Sequence, residues 1–61
     1  MLPIYICDDE KNMRTTLEAE IKRQIMIGSH DMEITLSTGE PDELLDAVHQ
    51  NPQRALYFLD V

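Results

Sequence analysis

The sequence predicts an α/β fold in which a parallel sheet of three strands is joined by two helices, in the order β-α-β-α-β. Short apolar runs alternate with segments of helical periodicity, and strands that alternate with helices form parallel sheets with right-handed crossovers. The runs at 2–7 and 55–60 are apolar almost throughout, as expected for central strands, whereas the run at 32–37 alternates and is therefore peripheral. The predicted strand order is 2-1-3.

The first strand, LPIYIC, ends at an acidic break, and Pro3 lies near its start, where a missing N–H is tolerated. From about residue 10 to residue 27 the apolar residues recur every fourth position and form one stripe, which predicts an amphipathic helix. The stripe consists of Met13, Leu17, Ile21 and Ile25. Asp9 is the predicted N-cap of this helix, and Gly28 is the predicted stop.

The second strand, MEITLS, alternates between apolar and polar residues. Its apolar side chains are predicted to share one face: Met32, Ile34 and Leu36. Residues 38–40 are predicted to form a loop, and Pro41 suits the first position of a short second helix. That helix is closed by Asn51 and the proline after it, and residues 55–60 form the third strand.

The composition restricts the function. Sixty-one residues carry a net charge of -7, so this segment alone is not expected to bind nucleic acid. Cys7 is the single cysteine, which excludes an internal disulfide and suits a reducing compartment. The longest apolar run, 55–59, is far shorter than the ~20 residues that span a membrane, and no signal peptide is recognisable. We expect a cytoplasmic protein whose small core needs support from another chain or from further sequence.

Acidic residues follow both predicted central strands: Asp8 and Asp9 follow the first, and Asp60 ends the third. The order 2-1-3 begins the flavodoxin-like order, in which ligands bind outside the carboxyl ends of the strands where the strand order reverses. Three carboxylates meeting there repel one another unless a cation neutralises them, and hard oxygen ligands suit Mg²⁺. A carboxylate can also attack phosphorus as a nucleophile. We therefore expect these three residues to form a magnesium and phosphoryl site.

The same acids have a structural interpretation, because acids at strand ends commonly serve as turn residues or helix caps. In that case the chain is a non-catalytic acidic interaction module that recruits a partner through its exposed third strand. A third interpretation, an acidic divalent-ion binder, lacks the D-x-D-x-D-G loop. Asp60 favours the first interpretation, because a charge that ends a doubly buried strand has a cost that a solvated acid lacks.

Two motifs some fifty residues apart, "YICDDE" and "YFLDV", together resemble the first half of a response-regulator receiver domain. An amphipathic helix follows the first motif. The resemblance covers the whole chain. In that family the acidic pair after strand one binds Mg²⁺, which implies Asp8 and Asp9, with Asp9 the direct ligand. The acid that ends strand three accepts a phosphoryl group from a phosphohistidine of a sensor histidine kinase, which implies Asp60.

A narrower resemblance rests on "QIMI" and "MEITLSTGEPDELLDAV" together with "YFLDV", which are similar to the accessory-gene-regulator type of receiver. Those proteins serve peptide quorum sensing and carry a LytTR DNA-binding domain downstream. The resemblance therefore implies phosphorelay signal transduction that controls transcription through an output domain.

Part of the family pattern would lie beyond Val61: two further strands, a Ser or Thr after strand four, a Lys after strand five and a metal-binding backbone carbonyl two positions past the acceptor. We therefore expect this chain to hold the N-terminal part of one receiver domain, to be a regulatory segment rather than an enzyme, and to transfer phosphoryl groups poorly alone. The strand from Ala55 to Asp60 would then be an unprotected apolar edge, and such edges pair with another chain. Self-association through this edge is the expected consequence.

Overall fold

The computed structural model describes residues 1–60, which form a three-layer arrangement of strands and helices. The elements are β1 (Leu2–Asp8), α1 (Lys11–Gly28), β2 (Met32–Thr38), α2 (Pro41–Gln50) and β3 (Leu56–Asp60). The strands are parallel and lie in the order β2-β1-β3. The predicted α/β class and strand order are confirmed, and they match a partial CheY-like βαβαβ fold.

The buried core lies on β1. Its central side chains are at most 2% exposed: Ile4, Tyr5, Ile6 and Cys7. Both helices pack against β1 and β2. The two crossovers run in opposite directions across the sheet, so right-handed connections place α1 on one face and α2 on the other. Since successive side chains of a strand point to opposite faces, β1 buries apolar residues on both sides.

The pairing of β2 with β1 contains an irregularity at one position. Ile4 pairs with Ile34, but Tyr5 pairs with Leu36, so Thr35 is an extra residue in β2. Partners in register point to the same face, and the extra residue therefore moves Leu36 to the face opposite Ile34. The prediction that the three apolar residues of this strand share one face is wrong. The strand is also one residue longer than predicted and ends at Thr38.

The start of α1 differs from the prediction, whereas its end lies at the predicted stop, Gly28. The N-cap is Glu10 rather than Asp9, and its carboxylate accepts two backbone N–H groups of the first helical turn at 3.2 Å each. At the other end, Gly28 is the last helical residue, and Ser29 adopts the left-handed conformation with φ 51°. That conformation lets the backbone N–H groups after the helix reach its last carbonyls.

The third strand lies at the margin of the described sheet. It begins at Leu56, one residue later than predicted, and all five of its residues are exposed. Within residues 1–60 it pairs with β1, while the close approaches of both helices are to β1 and β2. The prediction of a doubly buried third strand is therefore wrong for the described residues. Neither helix in residues 1–60 is long and apolar enough to cross a membrane.

Candidate functional site

The carboxyl ends of β1 and β3 bring two acids side by side. Asp8 and Asp60 are register partners in the parallel pairing of these strands. The chain leaves β1 in one direction to form β2 and returns in the other to form β3, so the strand order reverses between these two ends. In open α/β sheets this reversal is where ligands bind.

Asp8 is held by the turn that follows β1. Asp8 is only 5% exposed, and its Oδ1 accepts the backbone N–H of Glu10 at 2.9 Å. Its backbone carbonyl accepts a hydrogen bond from Nη1 of Arg14 at 2.7 Å. A buried carboxylate is costly unless it is hydrogen-bonded, and these two bonds fix both the side chain and the main chain of this residue.

Asp9 and Asp60 are both exposed, in contrast to Asp8. Within the described part of the chain, no group of three or more His, Cys, Asp or Glu side chains lies close enough together to hold a metal ion. The structure thus pairs Asp8 with Asp60 without assembling all three carboxylates into a cage. Magnesium typically uses one or two carboxylates and keeps several waters, so the donor set fits this ion. The magnesium site at Asp8, Asp9 and Asp60 stays a prediction.

A cavity of about 260 Å³ opens between the paired strand ends and the start of α1. Its lining residues are Cys7, Asp8, Met13, Leu17, Phe58, Leu59 and Asp60. A water molecule occupies about 30 Å³ in the liquid, so this volume holds several waters or a small hydrated ion. The two carboxylates are the acidic groups of a lining that is otherwise largely apolar.

The turn after β2 repeats the hydrogen-bonding pattern of the turn after β1. Thr38, which is 5% exposed, accepts the backbone N–H of Glu40 through its Oγ1 at 3.0 Å. The same hydroxyl donates to Oε2 of Glu43 at 2.9 Å. At both strand ends, therefore, a side-chain oxygen accepts the N–H group two residues ahead and closes the turn that leads into the next helix.

Two residues at this edge were not identified from the sequence. Arg14, in the first turns of α1, extends to the carbonyl of Asp8. Gly39, directly after β2, leaves the space that the Arg14 guanidinium occupies: a Cβ built at residue 39 would lie 2.9 Å from Nη1. In the sequence, Arg14 could be noticed only as a basic residue beside the apolar stripe near the start of the helix. Its partner Gly39 is 25 positions away, and only the fold brings the two together.

Comparison with curated proteins identifies relatives along almost the whole chain. The accessory gene regulator protein A of Staphylococcus aureus is 37% identical over 60 residues, which are 98% of this chain and 25% of that protein. The protein of the same name from Staphylococcus epidermidis is 33% identical over the same shares. The chain thus spans about a quarter of the length of these relatives. No protein-family model and no solved structure matches. By sequence, the chain is a relative of the accessory gene regulator A proteins, in agreement with its resemblance to the accessory-gene-regulator type.

Proposed function

We propose that this chain is the N-terminal segment of a receiver domain in a two-component response regulator, and that Asp60 is its phosphoacceptor. The observation that carries the proposal is the pairing of Asp8 with Asp60 where the strand order reverses. Asp60 is exposed, so a donor protein can approach its carboxylate.

The chemistry requires little of the chain beyond position and charge. A carboxylate oxygen of Asp60 attacks the phosphorus of a phosphohistidine on a sensor histidine kinase. An O–P bond forms as the N–P bond breaks, and the electron pair stays on the imidazole nitrogen, which takes up a proton.

Three acids would hold Mg²⁺ in this proposal: Asp8, Asp9 and Asp60. The ion would offset the negative charge on the carboxylates and on the transferred phosphoryl oxygens. Asp8 contributes a carboxylate whose orientation is already set by the N–H of Glu10. Asp9 is exposed at the start of the same turn and would supply the second carboxylate of the acidic pair.

The relatives are named accessory gene regulator proteins, which supports a role in regulating genes. We extend the proposal accordingly: phosphorylation at this segment controls a DNA-binding output of the LytTR type in quorum sensing, inside the cytoplasm. The segment itself has a net charge of -7 and does not contact the nucleic acid.

A chimera tests the proposal. Residues 1–60 of this chain replace the matching 60 residues of the Staphylococcus aureus relative, and the product is incubated with phosphoramidate and Mg²⁺, followed by intact-mass spectrometry. We expect one phosphoryl group per chain, lost in Asp60→Asn and retained in Asp46→Asn, which changes an exposed acid on α2. Labelling that persists in Asp60→Asn would falsify the acceptor assignment.

A second candidate function is supported by β3. Its apolar side chains are 37–61% exposed, and within residues 1–60 its outer edge has no strand beside it. Apolar edges of this kind pair with other chains. The candidate function is a non-catalytic interaction module in which two copies associate through this edge.

A further inference from the structure

We infer that Arg14 is a positioning residue of the Asp8–Asp60 site, and that it can take this position because residue 39 is glycine. The guanidinium crosses from α1 to the carboxyl end of β1, where Nη1 donates to the Asp8 carbonyl at 2.7 Å. This bond joins a helix to the last peptide of the central strand. It therefore fixes the turn in which the Asp8 carboxylate accepts the N–H of Glu10.

Gly39 matters here for its missing side chain rather than for its backbone. No glycine in the described residues has a positive φ, so alanine at residue 39 meets no backbone strain. The one atom closer than 3.0 Å to an added Cβ is Nη1 of Arg14, at 2.9 Å, whereas the Asp8 carbonyl oxygen is 3.5 Å away in ordinary contact. Because Nη1 is the end of a flexible side chain, Gly39→Ala displaces the guanidinium at little cost to folding.

The charge of Arg14 and its hydrogen bond have opposite effects on the affinity of the site for a divalent cation. A guanidinium beside the site repels a divalent cation, so removing the charge alone would strengthen cation binding. Removing the bond frees the turn that orients Asp8, which weakens cation binding. Groups that hold metal-ligating side chains in place typically contribute 10- to 100-fold to affinity, and we expect about a tenfold loss, at the lower end of that range, because Arg14 bonds the main chain rather than the carboxylate.

The inference rests on the proposed function for its cation-binding part, and the experiment separates the two. Backbone amide NMR spectra of the chain are recorded without metal and during a Mg²⁺ titration for the wild type, Arg14→Ala, Gly39→Ala and the double variant. Arg23→Ala is the matched control, because Arg23 is an exposed arginine of the same helix that bonds Glu20. Far-ultraviolet circular dichroism confirms that each variant is folded.

Without metal, the Glu10 amide proton reports its bond to Asp8. We expect it to move upfield by the same amount in Arg14→Ala, Gly39→Ala and the double variant, since Gly39 acts through Arg14, and to stay in place in Arg23→Ala. Effects of the two changes that add, or a Glu10 signal unchanged in Arg14→Ala, would overturn the inference.

With Mg²⁺, we expect about tenfold weaker binding in Gly39→Ala, which keeps the guanidinium charge. We expect a smaller loss in Arg14→Ala and in the double variant, which also remove the charge that repels the cation, and unchanged binding in Arg23→Ala. Binding of equal or greater strength in Arg14→Ala would show that the charge outweighs the positioning and would overturn the inference for this ion. Absence of Mg²⁺ binding by the wild type would instead count against the proposed metal site, while the metal-free Glu10 signal still decides the role of Arg14.

Discussion

Stacking of Tyr5 on Tyr57 holds β3 against β1, and its removal tests how Asp60 is kept beside Asp8. The two ring centroids are 5.4 Å apart with an interplanar angle of 13°. Tyr5 is 2% exposed, and its hydroxyl accepts a hydrogen bond from Nε2 of Gln53 at 3.3 Å. The substitution Tyr57→Ala removes one ring of the pair and leaves the buried Tyr5 in place.

The expected cost follows from two contributions. A stacked aromatic pair adds about 0.5–1.5 kcal/mol beyond its buried area. Tyr57 is 42% exposed, so its ring buries roughly 100 Å², which contributes at most about 2.5 kcal/mol because extended-chain burial is an upper bound. We expect Tyr57→Ala to lower the free energy of unfolding by about 2–3 kcal/mol. A 61-residue chain has about 3–9 kcal/mol in total, so the change removes a large part of its stability.

Urea unfolding followed by circular dichroism measures this loss. Tyr57→Phe keeps the ring and is expected to stay within about 0.5 kcal/mol of the wild type, because the Tyr57 hydroxyl makes no hydrogen bond within residues 1–60. Leu59→Ala is a matched control on the same face of β3; Leu59 is 61% exposed, and we expect a loss below about 1 kcal/mol. An equal loss of stability in Tyr57→Phe and Tyr57→Ala, or a larger loss in Leu59→Ala than in Tyr57→Ala, would show that the stacked ring does not hold β3.

Three other predictions concern the core, a surface pair and the sheet edge. Ile6 is fully buried, so Ile6→Ala should cost about 2–5 kcal/mol and Ile6→Val about 0.5–1.5 kcal/mol in thermal unfolding; equal costs would contradict this. Hydrogen bonds from Arg23, and secondly from a neighbouring glutamine, lower the pKa of Glu20. The stabilisation of α1 by ionised Glu20 is therefore present above the unfolded-state pKa and lost as pH falls through the folded-state pKa. A ¹³C titration of the Glu20 carboxyl that is unchanged in Arg23→Ala would contradict this. For β3, sedimentation equilibrium should show association that rises with concentration and is reduced by Phe58→Lys; a stable monomer at high concentration would refute it.

The fold was predictable because its signals are local and repeated. An apolar run followed by a helical stripe predicts each βα unit, and the contrast between uniform and alternating strands predicts the order 2-1-3. The pairing of Asp8 with Asp60 follows from that order, since the carboxyl ends of parallel neighbours meet at one edge. The receiver motifs point to the same two residues, and the structure confirms that they are register partners.

The details that the sequence did not predict depend on contacts between distant residues. An extra residue in β2 reverses the face of Leu36, because strand pairing rather than hydropathy decides where a bulge falls. The N-cap is a local exception: it is Glu10 rather than Asp9, and its carboxylate accepts the N–H groups two and three residues ahead. The contact of Arg14 with Gly39 joins segments that no local pattern connects.

The two carboxylates of the site are held by different means, and this difference has a consequence for cation binding. Asp8 lies on the buried strand and is fixed by two hydrogen bonds, one of them from Arg14. Asp60 lies at the end of an exposed strand whose position depends on pairing with β1 and on the Tyr57 ring. If both carboxylates bind Mg²⁺, loss of the Arg14 bond or of the Tyr57 ring should weaken Mg²⁺ binding. The two losses should differ in their effect on the free energy of unfolding. Tyr57→Ala should lower affinity together with stability, whereas Gly39→Ala should lower affinity and leave stability nearly unchanged, so measuring both quantities in both variants separates positioning of the site from stabilisation of the sheet.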